Sequence, residues 1–193
     1  MVHVMCKRFD QLSARLRDDL GRYRHQVFIR DLGWDVVSTS FLPEREFDQF
    51  DHPGTRYIIA LDARGNICGC SRLLPTGEPY LLGEVFGYLC DEAPPADPLT
   101  WEISRFAASA DQGSAVAMRV FWYSLHKAWQ QGAGAVVAVT TQAMERYFLR
   151  HGVALQRLGA PQVVKGERLL ALSFAAFQPN GVKALRAQGR EVA

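Results

Sequence analysis

The sequence predicts an α/β fold, a three-layer α-β-α sandwich in which helices flank one mixed sheet. Three observations lead there. RYIIALDA and NICGCSRLL are β-branched or apolar runs around the turn signal Ala63-Arg64-Gly65-Asn66, which reads as an antiparallel hairpin. GAVVAVTT is a continuous apolar run of strand length, as expected of a strand covered on both sides. Helical stripes alternate with strands through the second half of the chain, which suits helices packed on the faces of a sheet.

Taken in order, Leu12, Leu16, Leu20, Tyr23 and Val27 recur at steps of three and four. They predict a helix, or a pair of helices broken near Gly21, ending around Gly33-Trp34. FLPEREFDQFDHPG carries prolines at 43 and 53 with neither periodicity, so it reads as a loop, and an acidic and aromatic one. After the hairpin and a Pro- and Gly-containing stretch, WEISRFAAS reads as a strand. From Ser114 as N-cap, Ala117, Phe121, Leu125 and Ala128 make an apolar stripe, while Arg119, Tyr123, His126 and Gln130 lie on another face. GAVVAVTT is the next strand, and QAMERYFLRHG a helix closed by Gly152. LLALSFAAF is the last strand, reached through a variable-looking segment from Val153 to Arg168. No internal repeat, low-complexity tract or interior linker interrupts this order.

A chain of 193 residues is long enough for one well-packed domain, so a single domain over 1–193 is expected. With 48% hydrophobic and 22% charged residues, the composition argues against a disordered or membrane-spanning protein. A net charge of +2 gives no general nucleic-acid footprint, so no nucleic-acid partner is expected and any basic site must be local. Lys7 and Arg8 interrupt the few apolar residues of MVHVMCKRFDQL, leaving neither a secretory core nor a span; a cytoplasmic location follows. Cys6, Cys68, Cys70 and Cys90 form no CxxC pair and have no histidine at finger-like spacing, so reduced thiols and no metal site are expected.

Three polar constellations stand out, each open to two readings. In EREFDQFD, Glu46, Asp48 and Asp51 alternate with Phe47 and Phe50, either as a solvated acidic loop or as a pocket for a cation. Arg72 falls inside a strand, either with its head in water at an edge or in a functional role. In WEISRFA, strict alternation puts Glu102 and Ser104 on one face and Arg105 on the other, with Trp101 and Ile103. A buried ion pair joining Arg105 or Arg72 to one of the acids would make these charges structural, at a cost in desolvation.

Together these residues resemble the signature of LuxI-type acyl-homoserine-lactone synthases, the autoinducer synthases of bacterial quorum sensing. The matching positions are Arg24, Phe28 and Trp34 in RYRHQVFIRDLGW, Glu46, Asp48 and Asp51 in EREFDQFD, Arg72 in SRLLPT, and Glu102, Ser104 and Arg105 in WEISRFA. The likeness continues through TTQAMERYFLRHG and covers nearly the whole chain. The family implies a fold resembling the GNAT acyltransferases. It also implies an enzyme that joins S-adenosylmethionine to an acyl group from acyl carrier protein, releasing an N-acyl-L-homoserine lactone and 5'-methylthioadenosine. S-adenosylmethionine is then a substrate, and no cofactor is implied.

In that reaction the substrate's α-amine attacks a thioester carbonyl, so a base must take a proton; Glu46, slightly preferred, or Glu102 would do so directly or through water. Backbone N–H groups at Ser104–Phe106, including that of Phe106, would stabilise the oxyanion. Lactone closure needs mainly a folded substrate, because the sulfonium is already an excellent leaving group. Asp48 and Asp51 would face the cationic groups, and Arg24, Arg72 or Arg105 the carboxylate, unless these charges hold the loop against the sheet instead. Phe28 and Trp34 would wall the adenosyl group or serve as hydrophobic anchors.

An acidic carrier protein needs a local basic patch, which Arg146 and Arg150, four apart on one helix, could start and Lys165 and Arg168 extend. GAVVAVTT and the helix Val116–Leu125 would supply an apolar acyl tunnel. The family's members that prefer 3-oxo chains commonly have threonine at the position that aligns with Ala138, so an unsubstituted chain of medium length is expected here. Two rivals remain at this point: a GNAT-like N-acyltransferase using acyl-coenzyme A, and a non-catalytic small-molecule-binding module. Against the first, AASADQGSAVAM offers one glycine, Gly113, and an acid, Asp111, where a glycine-rich pyrophosphate turn would stand.

Overall fold

The computed structural model describes residues 2–36, 38–109 and 113–187; Asp111 lies outside them. It opens on a strand absent from the sequence reading, β1 (His3–Arg8), which pairs antiparallel with β2 (Arg56–Leu61) from His3↔Leu61 to Arg8↔Arg56. The remaining strands are β3 (Ile67–Pro75), β4 (Thr100–Ala108), β5 (Ala135–Thr141), β6 (Leu155–Arg157), β7 (Gln162–Val164) and β8 (Glu167–Ala175). They form an eight-stranded sheet in the order β1-β2-β3-β4-β5-β8-β6, with β7 on β8. The β4–β5 pair is parallel and β5–β8 antiparallel, so the sheet is mixed, as predicted. The helices are α1 (Ala14–Arg24), α2 (Leu81–Val85), α3 (Gly113–Gln130), α4 (Gln142–Arg150) and α5 (Pro179–Ala187).

Packing divides the chain into two compact units, Met1–Arg72 with Arg105–Val120, and Leu73–Ser104 with Phe121–Ala193. In the first, β2 buries Tyr57, Ile58, Ile59 and Ala60 in succession. That is the signature of a strand covered on both faces. Its core joins Leu12 and Leu20 to Phe28, Tyr57, Ile59 and Cys70. Of the two expectations, an unbroken helix and a break near Gly21, the structure has no break at Gly21. Helix α1 runs through it to Arg24, and the winding changes only at His25, where a π-helical segment (His25–Asp31) closes with Leu32 N–H on Val27 C=O at 3.0 Å. Gly21 serves close approach instead, since a Cβ there would lie 2.7 Å from Phe47 Cε2. The same glycine's carbonyl accepts the Glu46 N–H at 3.1 Å.

The strict alternation expected along WEISRFA fails at Arg105, whose φ of 50° lies in the left-handed region. A non-glycine residue there costs about 1–2 kcal/mol, which its side-chain contacts must offset.

In the second unit the core is aromatic, with Phe121, Phe148 and Phe174 all buried. The helix expected from Ser114 is described over Gly113–Gln130, and it is less amphipathic than its sequence suggests: Trp122, Ser124, Leu125, His126 and Ala128 are buried together. The variable-looking stretch before Arg168 contains β6 and β7, and Lys165 and Gly166, with φ of 49° and 85°, make the turn into β8. Helix α5 also escaped the sequence reading; Gly181 lets it approach Trp122, whose Cε3 a Cβ would meet at 2.6 Å. No helix among the described residues is long and apolar enough to cross a membrane.

Candidate active site

In the first unit Arg24, the acidic loop, Arg72 and Arg105 converge on one buried cluster, which Glu102 and Ser104 do not join. Arg24, at the end of α1, donates from Nε to Glu46 Oε2 at 2.6 Å and grips Asp51 with Nη1 and Nη2 at 2.9 and 3.0 Å. Arg72, from β3, donates through Nη1 to Asp48 Oδ1 at 2.5 Å and Asp51 Oδ1 at 3.1 Å. Arg105, from β4, reaches Glu46 Oε1 through Nη2 at 2.9 Å and Asp48 Oδ2 at 2.7 Å. Three guanidiniums thus meet three carboxylates, so the cluster is close to neutral despite its burial. Of the two readings of the acidic loop, the solvated one falls: Glu46 is fully buried and Asp48 nearly so.

Burial drives the Glu46 carboxyl upward, but Arg24 and Arg105 outweigh it and hold it below the usual carboxylate range. Asp51 behaves alike, with burial opposed by Arg24 and Arg72 and the net shift downward. Burial disfavours the charge on Arg24, yet Asp51 and Glu46 reverse that and raise its pKa further. Both Glu46 oxygens accept from guanidinium nitrogens, Oε1 from Arg105 and Oε2 from Arg24 and Arg105. Both oxygens of the residue slightly preferred as proton acceptor are therefore engaged by the clamp. Cys70 lies under the cluster with its thiol on the Arg105 carbonyl at 3.3 Å, and burial pushes it up to about 12, so it stays a neutral packing group.

Three further residues belong here to which sequence reasoning gave no role in the site. Tyr57 accepts from Arg24 Nη1 at 2.6 Å and donates to Asp51 Oδ1, bridging the pair. Its signal was a tyrosine in a buried strand, where the hydroxyl must find a partner. Phe47 carries the Arg24 guanidinium at 5.2 Å from its centroid, and Phe50 carries that of Arg72 at 5.5 Å, so the loop's aromatics stack on the cations they separate.

Phe28 and Trp34 stack beside the cluster, with centroids 4.9 Å apart and planes at 23°. The π-helical turn makes this possible by bringing Trp34 N–H onto Phe28 C=O at 2.8 Å. Phe28 is wholly buried with the Arg105 guanidinium 5.7 Å above its centroid, whereas Trp34 keeps 38% of its surface exposed. One ring is therefore an anchor and the other an open aromatic wall.

In the second unit Glu102 is fully buried and accepts the N–H groups of Leu81 at 3.2 Å and Leu82 at 2.7 Å, tying β4 to the start of α2. The β4–β5 register runs through Thr100↔Ala135, Trp101↔Val136 and Glu102↔Val137, and Ser104 and Ala138 lie just beyond it, both about nine-tenths buried. Phe106, in the first unit, is half-buried. Arg146 and Arg150 on α4, Lys165 in the β7–β8 turn and Arg168 on β8 are all exposed. Among the described residues no group of histidine, cysteine and acidic side chains is arranged to hold a metal ion.

Fold and site define the class: a GNAT-like mixed sheet flanked by helices, carrying a buried cluster of clamped charges beside an aromatic wall. The autoinducer synthase family model matches residues 9–182. An acyl-homoserine-lactone synthase of Pseudomonas aeruginosa is 60% identical over 185 residues, covering 96% of this chain and 92% of the relative. The structure of TofI in a ternary complex with an inhibitor and MTA aligns with TM-score 0.83 and 36% identity, over 95% of this chain and 96% of that one. BjaI, a CoA-dependent acyl-homoserine lactone synthase solved with MTA, aligns with TM-score 0.86 and 25% identity, over 98% and 90%. The chain belongs to the autoinducer synthase family and is an enzyme of the acyl-homoserine-lactone synthase class. Neither rival reading, the general N-acyltransferase or the non-catalytic module, survives this assignment.

Proposed function

We propose that this synthase transfers an acyl group from acyl carrier protein to the α-amine of S-adenosylmethionine and then closes the N-acyl-L-homoserine lactone. In the first step a C–N bond forms as the thioester C–S bond breaks, and the carrier thiol leaves. In the second the substrate carboxylate attacks its own γ-carbon and expels 5'-methylthioadenosine, whose departure discharges the sulfonium. The observation that carries this reading is the aromatic wall of Trp34 on Phe28 beside a clamped ionic cluster, a surface that can receive a flat adenosyl group next to opposed charges.

The roles divide by what each side chain is free to do. Arg24, Arg72, Arg105, Glu46, Asp48 and Asp51 preorganise the pocket, and its fixed charges orient the ammonium and carboxylate without reorganising during reaction. Glu102, whose carboxylate is fixed on the N–H groups of Leu81 and Leu82, takes the proton through water. Backbone N–H groups at Ser104–Phe106 receive the oxyanion. Ala138 presents a methyl where a 3-oxo group would want a donor, which favours an unsubstituted acyl chain of medium length.

The exposed Arg146, Arg150, Lys165 and Arg168 fit an acidic carrier protein, and such substrates place the enzyme in the cytoplasm. A coenzyme A donor is the second reading, favoured by the likeness to BjaI, a structure of which was solved with SAM and isopentyl-CoA. Purified protein given S-adenosylmethionine with acyl carrier proteins of graded chain length, and acyl-coenzyme A in parallel, decides between them by mass spectrometry. Lactone together with methylthioadenosine from the carrier-protein donors supports the proposal; lactone from coenzyme A alone moves the donor, and no lactone from any donor sinks the reaction.

A further inference from the structure

A groove of about 450 Å³ runs along the outer side of α1 and the π-helical segment that follows it, lined by Arg22, Tyr23, His25, Gln26, Arg30 and Glu44. The same stretch of chain faces two ways. Arg24 and Phe28, four apart, are wholly buried, whereas Arg22, Gln26 and Arg30, also at steps of four, are exposed. Apart from Glu44, every side chain lining the groove is a cation or carries a hydrogen-bond donor.

Each guanidinium is anchored through one nitrogen and keeps its remaining donors: Arg22 by Nε on Asp18 Oδ2 at 3.0 Å, Arg30 by Nη2 on Glu44 Oε1 at 3.2 Å. Gln26 is positioned in the same way, with Nε2 on Asp31 Oδ1 at 2.7 Å. Asp18 also holds Arg45 at 2.6 Å, so its charge is divided between two guanidiniums. The Arg30–Glu44 pair lies at 60% and 61% exposure, where an ion pair contributes little, so an incoming phosphate can take Arg30 from it. The groove also leads toward the reacting strand. Tyr23 accepts from Ser109 Oγ at 3.3 Å, and Ser109 stands directly after β4, three residues beyond Phe106, about 10 Å along an extended chain.

We infer that this groove holds the phosphate of the phosphopantetheine arm on which the acyl group arrives, with Arg22 and Arg30 as its ligands. This rests on the reading of β4 as the strand at which the thioester reacts. Coenzyme A and acyl carrier protein share that arm, so the chemistry recognised is the same for either donor. Two guanidinium forks set against one phosphate supply charge-assisted hydrogen bonds from both sides, and neither arginine belongs to the clamp that orders the substrate charges.

The test compares two acyl donors that differ only in the phosphate, acyl-pantetheine and acyl-4'-phosphopantetheine, as kcat/KM for lactone formation by the full chain. The unmutated protein is expected to favour the phosphorylated donor by about tenfold, the fold-change of one charge-assisted hydrogen bond, and less so as salt is raised. Arg22→Gln with Arg30→Gln should remove that advantage and leave acyl-pantetheine turnover unchanged. Glu44→Gln should enlarge it, a gain that a merely structural role does not produce. Acyl carrier protein and acyl-coenzyme A, assayed beside them, identify the source, because the double variant loses turnover with whichever donor the groove serves. A second readout needs no turnover: the thermal shift from 4'-phosphopantetheine should exceed that from pantetheine, and the difference should vanish in the double variant. Equal use of the two short donors by the unmutated protein, or an equal loss on both in the double variant, overturns the inference while leaving the synthase reading intact. No lactone from any donor, with 4'-phosphopantetheine still bound more tightly than pantetheine, overturns the synthase reading and leaves the phosphate site standing; failure of both readouts overturns both.

Discussion

Arg105 reaches Glu46 across 59 residues of sequence, Nη2 to Oε1 at 2.9 Å, from a backbone held at a φ of 50°. The strained residue is also among the most tightly bound, with its Nε on both Glu46 oxygens and its Nη2 shared with Asp48. Strain and clamp meet in one residue: the left-handed backbone is held where the side chain is bound by the acidic loop. A buried pair of this kind adds little net stability over an apolar core, yet removing one partner strands a charge.

Glu46→Gln should therefore destabilise the fold by about 3–5 kcal/mol, because two buried guanidiniums lose an anion at once. Urea unfolding followed by tryptophan fluorescence reads the change. Wild-type stability combined with lost turnover would instead make Glu46 the base, against the geometry.

The clamp also fixes how stability depends on acidity. Glu46 and Asp51 have folded pKa values below their ordinary ones, so in acid the unfolded chain binds more protons and stability rises with pH. Their contribution is complete above the unfolded values, about 4.3 and 3.9, and is lost as pH falls through the lower folded ones. Urea midpoints should fall on acidification below about pH 4.5, less steeply in Asp51→Asn. A midpoint that holds constant to pH 3 would show that these carboxylates are not clamped.

Tyr57→Phe removes the hydroxyl between Arg24 and Asp51 while leaving their two direct contacts in place. A loss of about 1–2 kcal/mol of stability is expected. If the clamp shapes the methionine end of the pocket, KM for S-adenosylmethionine should rise several-fold with kcat nearly unchanged. A fall in kcat alone would place Tyr57 in the chemistry rather than in positioning.

How much of this was legible in the sequence follows from what each residue's neighbours are. Strand β5 and helix α4 were readable because their signals are local: an apolar run, and a helix ended by Gly152 with a φ of 72°. Strand β1 was not, since His3, Lys7 and Arg8 break its apolar pattern and its stability comes from pairing with β2. The charged residues of the site were identifiable by type and order, but their pairing was not, because partners such as Arg105 and Glu46 lie 59 residues apart in sequence. Gly21 left a helix and a broken pair of helices both open for a related reason: it reads locally as a possible breaker, and in the fold it admits Phe47 from a distant loop.

The last prediction concerns the donor. Arg146 and Arg150 stand one turn apart on α4, both exposed, while their neighbour Glu145 is turned inward and held by Arg157 through contacts of 2.5 and 2.7 Å. That pair removes the helix's own acid from the arginine face and leaves the face positive. Reversing both charges, Arg146→Glu with Arg150→Glu, should lower kcat/KM for acyl carrier protein by about tenfold or more, mostly through association rate, and flatten its salt dependence. Turnover of acyl-coenzyme A, which makes no protein–protein contact, should change little. Equal loss with both donors would show that α4 supports the fold or the acyl pocket, and the carrier protein would have to dock elsewhere.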